Sequence, residues 1–255
     1  MTGRIAIVTG GTTGIGLATT RALIASGHRV AIGARGAADP ALQANLKRQL
    51  GEDVMVAGLD VASRASVDGF VAQVQDTLGL PTILVNAAGI YREAYLADHE
   101  ETDWSDQIGI NLTGAFRMTR AVFAGMQAAN WGRIANIAST AGTKGAAGYA
   151  AYCASKAGLI GLSKATAVEG APHGISCIAV SPTWVETPMM ANSITRIATN
   201  KGMTLTEARA SLEASNPQGR LVQPEEVAAM VDFFCSPRAP GLTNVDIQIN
   251  AGADW

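Results

Sequence analysis

The chain has 255 residues, 48% of them hydrophobic and 16% charged, with a formal net charge of −2 at pH 7. This composition provides a sizeable core and excludes a disordered chain, and the small charge gives no electrostatic reason to expect nucleic acid as a partner. No apolar run reaches the roughly 18–20 residues that span a bilayer. Three cysteines without metal-ligand spacing, and the lack of a signal-peptide pattern in residues 1–5, predict a cytoplasmic protein with reduced thiols and no membrane partner.

Short apolar runs alternate with segments of helical periodicity along the chain. The runs are apolar at consecutive positions, as in strands that are covered on both faces of a sheet. Strands are predicted at 4–8, 29–32, 54–59, 82–85, 133–137, 176–180 and 245–249, and helices at about 14–26, 40–50, 64–78, 102–128, 152–169 and 224–235. This alternation predicts an α/β fold with a parallel, doubly wound sheet, in a single domain over residues 1–255.

The longest stretch without a predicted strand spans about 184–223 and carries apolar residues, such as Met189, Met190 and Ile194, among polar ones. A segment of this kind inside a compact domain predicts a substrate lid or binding loop. A pair of helices packed on the core is the alternative.

The first predicted strand leads directly into a glycine-rich turn, and a predicted helix follows. Glycine lets backbone amides approach a bound group, and a helix N-terminus offers unpaired N–H groups and partial positive charge to a diphosphate. A tight turn without a ligand is the alternative, but the strand–turn–helix context favours a dinucleotide site. Its candidate residues are Gly10, Thr12, Thr13, Gly14, Ile15 and Gly16.

The end of the second predicted strand suggests which dinucleotide binds. An acidic residue there would hold both ribose hydroxyls, but the chain has Ala34 followed by Arg35, which could pair with a 2′-phosphate. NADP(H) is therefore favoured, NAD(H) remains possible, and an exposed turn arginine is the alternative. Asp60, after the third predicted strand, could reach the adenine or could cap a helix.

Tyr152 and Lys156 are separated by one helical turn, so both side chains can point into one site. A nearby ammonium lowers the pKa of a phenol, so Tyr152 is a candidate general acid toward a carbonyl oxygen and a general base in the reverse direction. Tyr149 is a rival, but the residue four positions later is Cys153, which supplies no charge.

Two further polar residues fall where a site is expected. Ser139 follows a predicted strand at the sheet edge where open α/β folds bind ligands, and it could hold a substrate carbonyl or simply stabilise a turn. Asn111 lies within a predicted helix, an unfavourable place for an amide without a specific partner. It could relay a proton through water to Lys156, or satisfy local backbone.

Together these motifs resemble the short-chain dehydrogenase/reductase family over essentially the whole chain. The matching residues are Thr9-Gly10-x-x-x-Gly14-Ile15-Gly16, Asn86-Ala-Ala88-Gly89, Asn111, Ser139 and Tyr152-x-x-x-Lys156. The resemblance implies a single-domain Rossmann fold with sheet order 3-2-1-4-5-6-7, usually in a homotetramer. It also implies a tetrad with Asn111 as proton-relay anchor, Ser139 as carbonyl binder, Tyr152 as acid/base and Lys156 as ribose binder.

The same resemblance implies the remaining cofactor contacts. Besides the glycine-rich turn and Arg35, they are Asp60, Val61, Asn86, Ala88, Gly89, Tyr152, Lys156, Val185 and Thr187. Family members that use NADP often place a basic residue where this chain has Thr13, so the predicted preference for NADP(H) depends on Arg35.

Several segments are similar to polyketide ketoreductases and 3-oxoacyl-thioester reductases. Related hydroxybutyrate dehydrogenases hold a carboxylate with a histidine and a lysine, where this chain has Ala141 and Tyr149. We therefore expect NADP(H)-dependent reduction of a 3-oxoacyl thioester or a similarly apolar ketone. The alternatives are an NAD-dependent secondary-alcohol or 3-hydroxyacyl dehydrogenase, and a dinucleotide sensor without turnover. An apolar pocket is predicted from Tyr91, Tyr149, Trp184, Met189 and Met190.

Overall fold

The computed structural model describes residues 3–253, and the first two and last two residues of the predicted domain lie outside the described range. Within residues 3–253 there are seven strands: β1 Ile5–Thr9, β2 Arg29–Ala34, β3 Met55–Gly58, β4 Pro81–Asn86, β5 Gly132–Ile137, β6 Ile175–Pro182 and β7 Val245–Ile249. The α-helices of the described residues are α1 Gly14–Ala25, α2 Pro40–Leu50, α3 Arg64–Thr77, α4 Glu101–Ile108, α5 Ala115–Ala128, α6 Ala150–Gly170, α7 Pro188–Lys201, α8 Leu205–Ser215 and α9 Pro224–Cys235. None of them is long and apolar enough to cross a membrane.

All seven strands form one parallel sheet in the order β3-β2-β1-β4-β5-β6-β7, which confirms the topology that the resemblance implied. The order reverses between β1 and β4, which are hydrogen-bonded neighbours. A crevice opens beyond the carboxyl ends of the strands at such a reversal. The fold therefore places the glycine-rich turn, which follows β1, beside the chain that leaves β4.

Helices cover both faces of the sheet, and successive strand residues point to opposite faces. Ala6 and Val8 pack into one apolar cluster with α1 and α9, whereas Ile7 packs into a second cluster with α3 and α5. Every residue of β4, β5 and β6 is buried, which explains why the sequence shows consecutive apolar residues there instead of alternation.

The predicted helix 102–128 is wrong in one respect, because it is not continuous. A π-helical segment, Gly109–Gly114, separates α4 from α5 and contains the buried Asn111. Its wider backbone turn shifts the register of the side chains, and such segments are frequent at functional sites. Apolar periodicity cannot reveal this insertion, because both flanking helices keep the ordinary period.

The segment 184–223 forms a pair of helices, as the alternative for this region supposed. Thr187 caps α7 with Pro188 in its first turn, and Thr204 and Glu207 form a capping box that begins α8. The two helices share a small apolar cluster of their own, which includes Met190, Ile194 and Leu212. Whether they move as a lid stays a prediction.

Candidate active site

The glycine-rich turn is shaped for close backbone approach. Gly10 and Gly14 have φ of 66° and 51°, a region that favours glycine. A Cβ atom on Gly16 would lie 2.3 Å from the Gly10 carbonyl oxygen, and one on Gly10 would lie 2.9 Å from the Ala88 Cα. The turn therefore leaves a cradle of bare backbone beneath the N-terminus of α1, which suits the diphosphate of a dinucleotide.

This cradle opens into what we call the glycine-rich cleft, of about 1460 Å³ including its open mouth. The cleft is lined by most residues predicted to bind the cofactor, although they follow five different strands. They are Gly10, Thr12, Thr13, Gly14, Ile15, Gly16, Arg35, Asp60, Val61, Ala88, Gly89 and Thr187. The structure thus brings them together along one cleft.

Arg35 begins a 3-10 turn after β2 and is exposed at the wall of this cleft, next to Ala34. Asp60 lines the same cleft, and its Oδ1 accepts a hydrogen bond from the Ala62 amide at 3.0 Å. The cap of α3 is Ser63, so Asp60 stabilises the preceding turn and does not cap that helix.

Asn86 is a predicted cofactor residue that does not line the glycine-rich cleft. Its Nδ2 donates to the Asn136 Oδ1 at 2.8 Å and to the Thr119 Oγ1 at 3.4 Å, inside the core. The end of β4 is buried against β5, so the Asn86 Nδ2 is satisfied internally, whereas its Oδ1 is buried without a hydrogen-bond partner among the described residues. The structure therefore gives the Asn86 side chain a role in joining the two strands.

A second cleft, the tyrosine cleft, measures about 820 Å³ including its mouth and is lined by Tyr91, Tyr149 and Tyr152 among others. It shares Gly89, Ile137 and Thr187 with the glycine-rich cleft, so the two are continuous. Val185 lines it, and so do Trp184, Met189 and Met190, as the predicted apolar pocket requires.

Tyr152 and Lys156 lie on the first turns of α6 and line the tyrosine cleft. The Lys156 Nζ donates a hydrogen bond to the Ile137 carbonyl at 2.7 Å and lies 5.5 Å from the centre of the Tyr152 ring. Ser139 follows β5, and its hydroxyl is hydrogen-bonded to the Tyr152 phenol. The Ser139 Oγ also accepts the Ala141 amide at 3.1 Å, so it serves the turn and the site together.

The electrostatics of this group differ from the sequence-based expectation. Burial raises the pKa of Tyr152 to about 12, more than the hydrogen bond from Ser139 lowers it, and Lys156 does not contribute to the shift. Burial also lowers the pKa of Lys156 to about 8, so the charge that was expected to stabilise the phenolate is itself disfavoured. The prediction of a lowered phenol pKa is therefore wrong for this arrangement, and Tyr152 is held as a neutral proton donor.

The Asn111 side-chain amide makes its hydrogen bonds to the backbone and to one side chain. Of the two roles considered for it, the structure shows the pairing with nearby backbone. Its Oδ1 accepts the Ile90 amide at 2.8 Å, and its Nδ2 donates to the Ile90 carbonyl at 2.9 Å and to the Ser155 Oγ at 3.1 Å. A Cβ on Gly89 would meet the Asn111 Oδ1 at 3.3 Å and the Lys156 Nζ at 3.7 Å. Asn111 thus fixes the loop at Ile90. Gly89 of this loop lines both clefts and lies between the Asn111 and Lys156 side chains.

An aromatic wall extends from Tyr152 to the mouth of the tyrosine cleft. The ring centre of Tyr91 lies 4.7 Å from that of Tyr149 and 5.2 Å from that of Tyr152. Arg196 of α7 places its guanidinium carbon 4.9 Å from the Tyr91 ring centre, and its Nε lies 2.7 Å from the Glu93 Oε2.

Sequence reasoning missed Arg196, Glu93 and Ser155 as neighbours of the site. Arg196 and Tyr91 are 105 positions apart, and no spacing rule links them. The helix-capping residues Thr187 and Pro188 could have indicated α7, and hence that one of its faces lies over the cleft.

Comparisons with known proteins all indicate one family for this chain. Residues 4–198 match the family model for short chain dehydrogenase. A protein named as a ketoacyl reductase of the monensin polyketide synthase from Streptomyces virginiae is 41% identical over 253 residues, 98% of this chain and 97% of that protein. D-beta-hydroxybutyrate dehydrogenase from Cupriavidus necator is 36% identical over 240 residues, 94% of this chain and 93% of that one.

A solved structure shares the fold. The crystal structure of a variant of actinorhodin polyketide ketoreductase with NADPH matches with a TM-score of 0.94 and 36% identity, over 99% of this chain and 98% of that chain. The family model and these relatives cover the strands, the glycine-rich turn and the Tyr152–Lys156 pair together. This chain belongs to the short-chain dehydrogenase family.

Proposed function

We propose that this protein reduces a ketone to a secondary alcohol with NADP(H), and that the ketone is a 3-oxoacyl thioester or a similarly apolar carbonyl. The observation that carries the proposal is that Ser139, Tyr152 and Lys156 line one cleft, which is continuous with the glycine-rich cleft through Gly89 and Ile137. A bound nicotinamide supplies the hydride for the carbonyl carbon. Tyr152 donates its proton to the carbonyl oxygen, which Ser139 holds, and Lys156 and Asn111 keep the surrounding loop and helix in place.

The preference for NADP(H) is supported by the position of Arg35. Its guanidinium is exposed on the glycine-rich cleft, and within residues 3–253 no hydrogen bond or ion pair engages it. The acidic residue that would bind the free ribose hydroxyls of NAD(H) is missing, because Ala34 occupies its position. The actinorhodin ketoreductase, whose structure contains NADPH, supports the same choice.

The substrate class is supported by the uncharged wall of the tyrosine cleft. Among its lining residues in the described part of the chain, Lys156 alone carries a charged group, and its Nζ is bonded to Ile137. Ala141 and Tyr149 both line the cleft and offer no cation to a free carboxylate. One of the relatives is named a ketoacyl reductase, which supports this substrate class.

A second candidate is the oxidative direction with NAD(H), acting on a 3-hydroxyacyl or other secondary alcohol. The hydroxybutyrate dehydrogenase among the relatives favours it. The uncharged wall argues against a small hydroxy acid as the substrate. A cytoplasmic location, a homotetramer and a lid formed by α7 and α8 complete the proposal.

The test is a screen of NADPH and NADH oxidation with acyl thioester, cyclic and aryl ketones. We expect turnover with NADPH that falls by orders of magnitude in Tyr152→Phe, while Tyr149→Phe retains turnover of simple ketones. Loss of the same size in both variants on every ketone contradicts the assignment of Tyr152. Tight dinucleotide binding without turnover on any carbonyl identifies a sensor instead.

A further inference from the structure

Glu186 lies in the connection between β6 and α7 (183–187), between two residues that are expected to hold the cofactor. Val185 and Thr187 both line the tyrosine cleft, and Thr187 lines the glycine-rich cleft as well. The Thr187 Oγ1 donates to the Val185 carbonyl at 3.2 Å and accepts the Met190 amide at 3.3 Å, so the connection turns tightly into α7. Any displacement of Glu186 therefore moves the backbone of both flanking residues.

The backbone of this connection is paired with the chain that precedes α9. The Glu186 amide donates to the Val222 carbonyl at 2.9 Å, and the Val222 amide donates to the Trp184 carbonyl at 2.9 Å. These two bonds form an isolated parallel bridge between Val185 and Val222. So short a pairing fixes the connection at one point, and a second contact is needed to set its orientation.

Arg209 of α8 supplies that second contact. Its Nη1 donates to the Glu186 Oε1 at 3.2 Å and its Nη2 donates to the Glu186 Oε2, so the guanidinium contacts both carboxylate oxygens. Two parallel bonds of this kind fix an orientation as well as a distance. The Arg209 Nε donates to the Glu213 Oε1 at 2.9 Å, one turn further along α8. The arginine is thus bound to its own helix and to the connection at Glu186.

The pair of Arg209 and Glu186 is partly exposed, so its main effect is on orientation and not on stability. The two side chains are 42% and 35% exposed, so solvent screens their charges and the ion pair adds little to the free energy of unfolding. A planar guanidinium that contacts both oxygens still restricts how the carboxylate can turn. Loss of the pair should shift Val185 and Thr187 without unfolding α8, because that helix begins with its own capping box.

We propose that Arg209 is a positioning residue for the nicotinamide half of the cofactor, and that it acts through Glu186 on Val185 and Thr187. The inference rests on the proposed function, because it concerns how that site holds its dinucleotide. Within residues 3–253, the hydrogen bonds and ion pairs of Arg209 reach Glu186 and Glu213 alone. The adenosine and the diphosphate are expected at Arg35 and the glycine-rich turn, so the effect should be confined to the nicotinamide.

The test compares two ligands that differ in the nicotinamide. One is NADP+, and the other is 2′-phospho-ADP-ribose, which keeps the adenosine phosphate and the diphosphate but has no nicotinamide ring. In Arg209→Met we expect the dissociation constant to rise about fivefold for NADP+ and to stay unchanged for 2′-phospho-ADP-ribose, since about one hydrogen bond to the carboxamide loses its alignment. Isothermal titration calorimetry with the purified proteins measures both constants.

A second measurement follows the reaction itself. Hydride transfer needs the nicotinamide at a defined distance from the ketone, and a misplacement of about 1 Å can cost about a hundredfold in rate. We expect kcat for ketone reduction to fall about tenfold in Arg209→Met, while KM for the ketone changes much less. Arg209→Lys should recover only part of kcat, because an ammonium cannot hold both carboxylate oxygens in the same plane.

Glu213→Gln is the matched control, because it removes the other charge that Arg209 contacts and leaves the pair with Glu186 in place. It should change neither dissociation constant, whereas Glu186→Gln should reproduce the selective change of Arg209→Met. Equal weakening of both ligands in Arg209→Met, an unchanged constant for NADP+, or the same selective loss in Glu213→Gln overturns the inference and leaves the proposed function standing. A wild-type protein that binds neither NADP+ nor NAD+ overturns the proposed function and the inference with it.

Discussion

The Lys156 Nζ lies 5.5 Å from the centre of the Tyr152 ring, and burial moves the pKa values of the two groups in opposite directions. With a Tyr152 pKa of about 12, the phenol stays protonated throughout the neutral range, as a proton donor requires. With a Lys156 pKa of about 8, the ammonium loses its proton first as the pH rises.

The ionisation of Lys156 should therefore set the alkaline limit of ketone reduction. We expect kcat/KM to fall about tenfold per pH unit above about pH 8, as one proton is lost from an essential group. Lys156→Arg keeps its charge at that pH, so its profile should stay flat from pH 7 to 10 at a lower absolute rate. An unchanged fall near pH 8 in this variant assigns the titration to another group.

The same shift predicts a pH dependence of stability. Between about 8 and the ordinary value of 10.5, the unfolded chain binds a proton that the folded Lys156 has released. Stability from this group therefore rises with pH across that window. Chemical denaturation at pH 7 and pH 10 should show the wild type gaining stability relative to Lys156→Met. A constant difference between the two proteins contradicts the prediction.

Arg35 should decide the choice between the two dinucleotides. Arg35→Ala removes the exposed guanidinium beside the glycine-rich cleft. We expect KM for NADPH to rise by about tenfold or more, the value of a charge-assisted hydrogen bond, while KM for NADH stays within about twofold. Steady-state kinetics with both cofactors measures this, with Arg48→Ala as the control. A native preference for NADH contradicts the assignment.

Most of the fold could be predicted because it follows from apolar runs and their spacing. All seven strands occur within a few residues of their predicted positions, although β6 extends from Ile175 to Pro182 where 176–180 was expected. Ser181 and Pro182 pair with β7 and Ile175 pairs with Gly132 of β5, and such pairing depends on partners that local sequence does not show. The π-helical segment at Asn111 could not be predicted for a similar reason, since it is stabilised by contacts with Ile90 and Ser155.

The candidate site likewise has features that the sequence could predict and features that it could not. Tyr152 and Lys156 could be paired from one helical turn, and the glycine-rich turn from its place after a strand. The pKa of Tyr152 could not be predicted, because burial is a property of the packed cleft and outweighs a neighbouring charge. The connection from Arg196 to Tyr91 depends on the docking of α7, which no local pattern specifies.

Asn111 should matter for both activity and stability. Asn111→Ala leaves the amide and carbonyl of Ile90 without their partners, and each unsatisfied buried group costs about 1–3 kcal/mol. We expect thermal unfolding to show a loss of about 3 kcal/mol, with a large drop in kcat because Gly89 is no longer held beside Lys156. Asn111→Asp keeps the acceptor for the Ile90 amide but buries a carboxylate against the Ile90 carbonyl, so it should lose at least as much stability. A variant that keeps full kcat contradicts this positioning role.

Gly16 should be required for cofactor binding for a purely steric reason. In Gly16→Ala the new methyl group would lie 2.3 Å from the Gly10 carbonyl oxygen and 3.0 Å from the Gly11 Cα, and neither backbone atom can move without opening the turn. We expect the dissociation constant for NADPH to rise about a hundredfold, because the amides at the N-terminus of α1 lose their alignment toward the diphosphate.

The matched control for Gly16→Ala is Gly69→Ala. Gly69 is exposed on α3, and a Cβ there meets no atom within 4 Å. Alanine should stabilise this helix by about 0.5–1 kcal/mol and leave NADPH binding unchanged. Fluorescence titration of NADPH with both variants separates the two cases. Tight binding by Gly16→Ala would show that the turn can rearrange around a methyl group, and that the close approach between Gly16 and Gly10 is not what shapes the cradle.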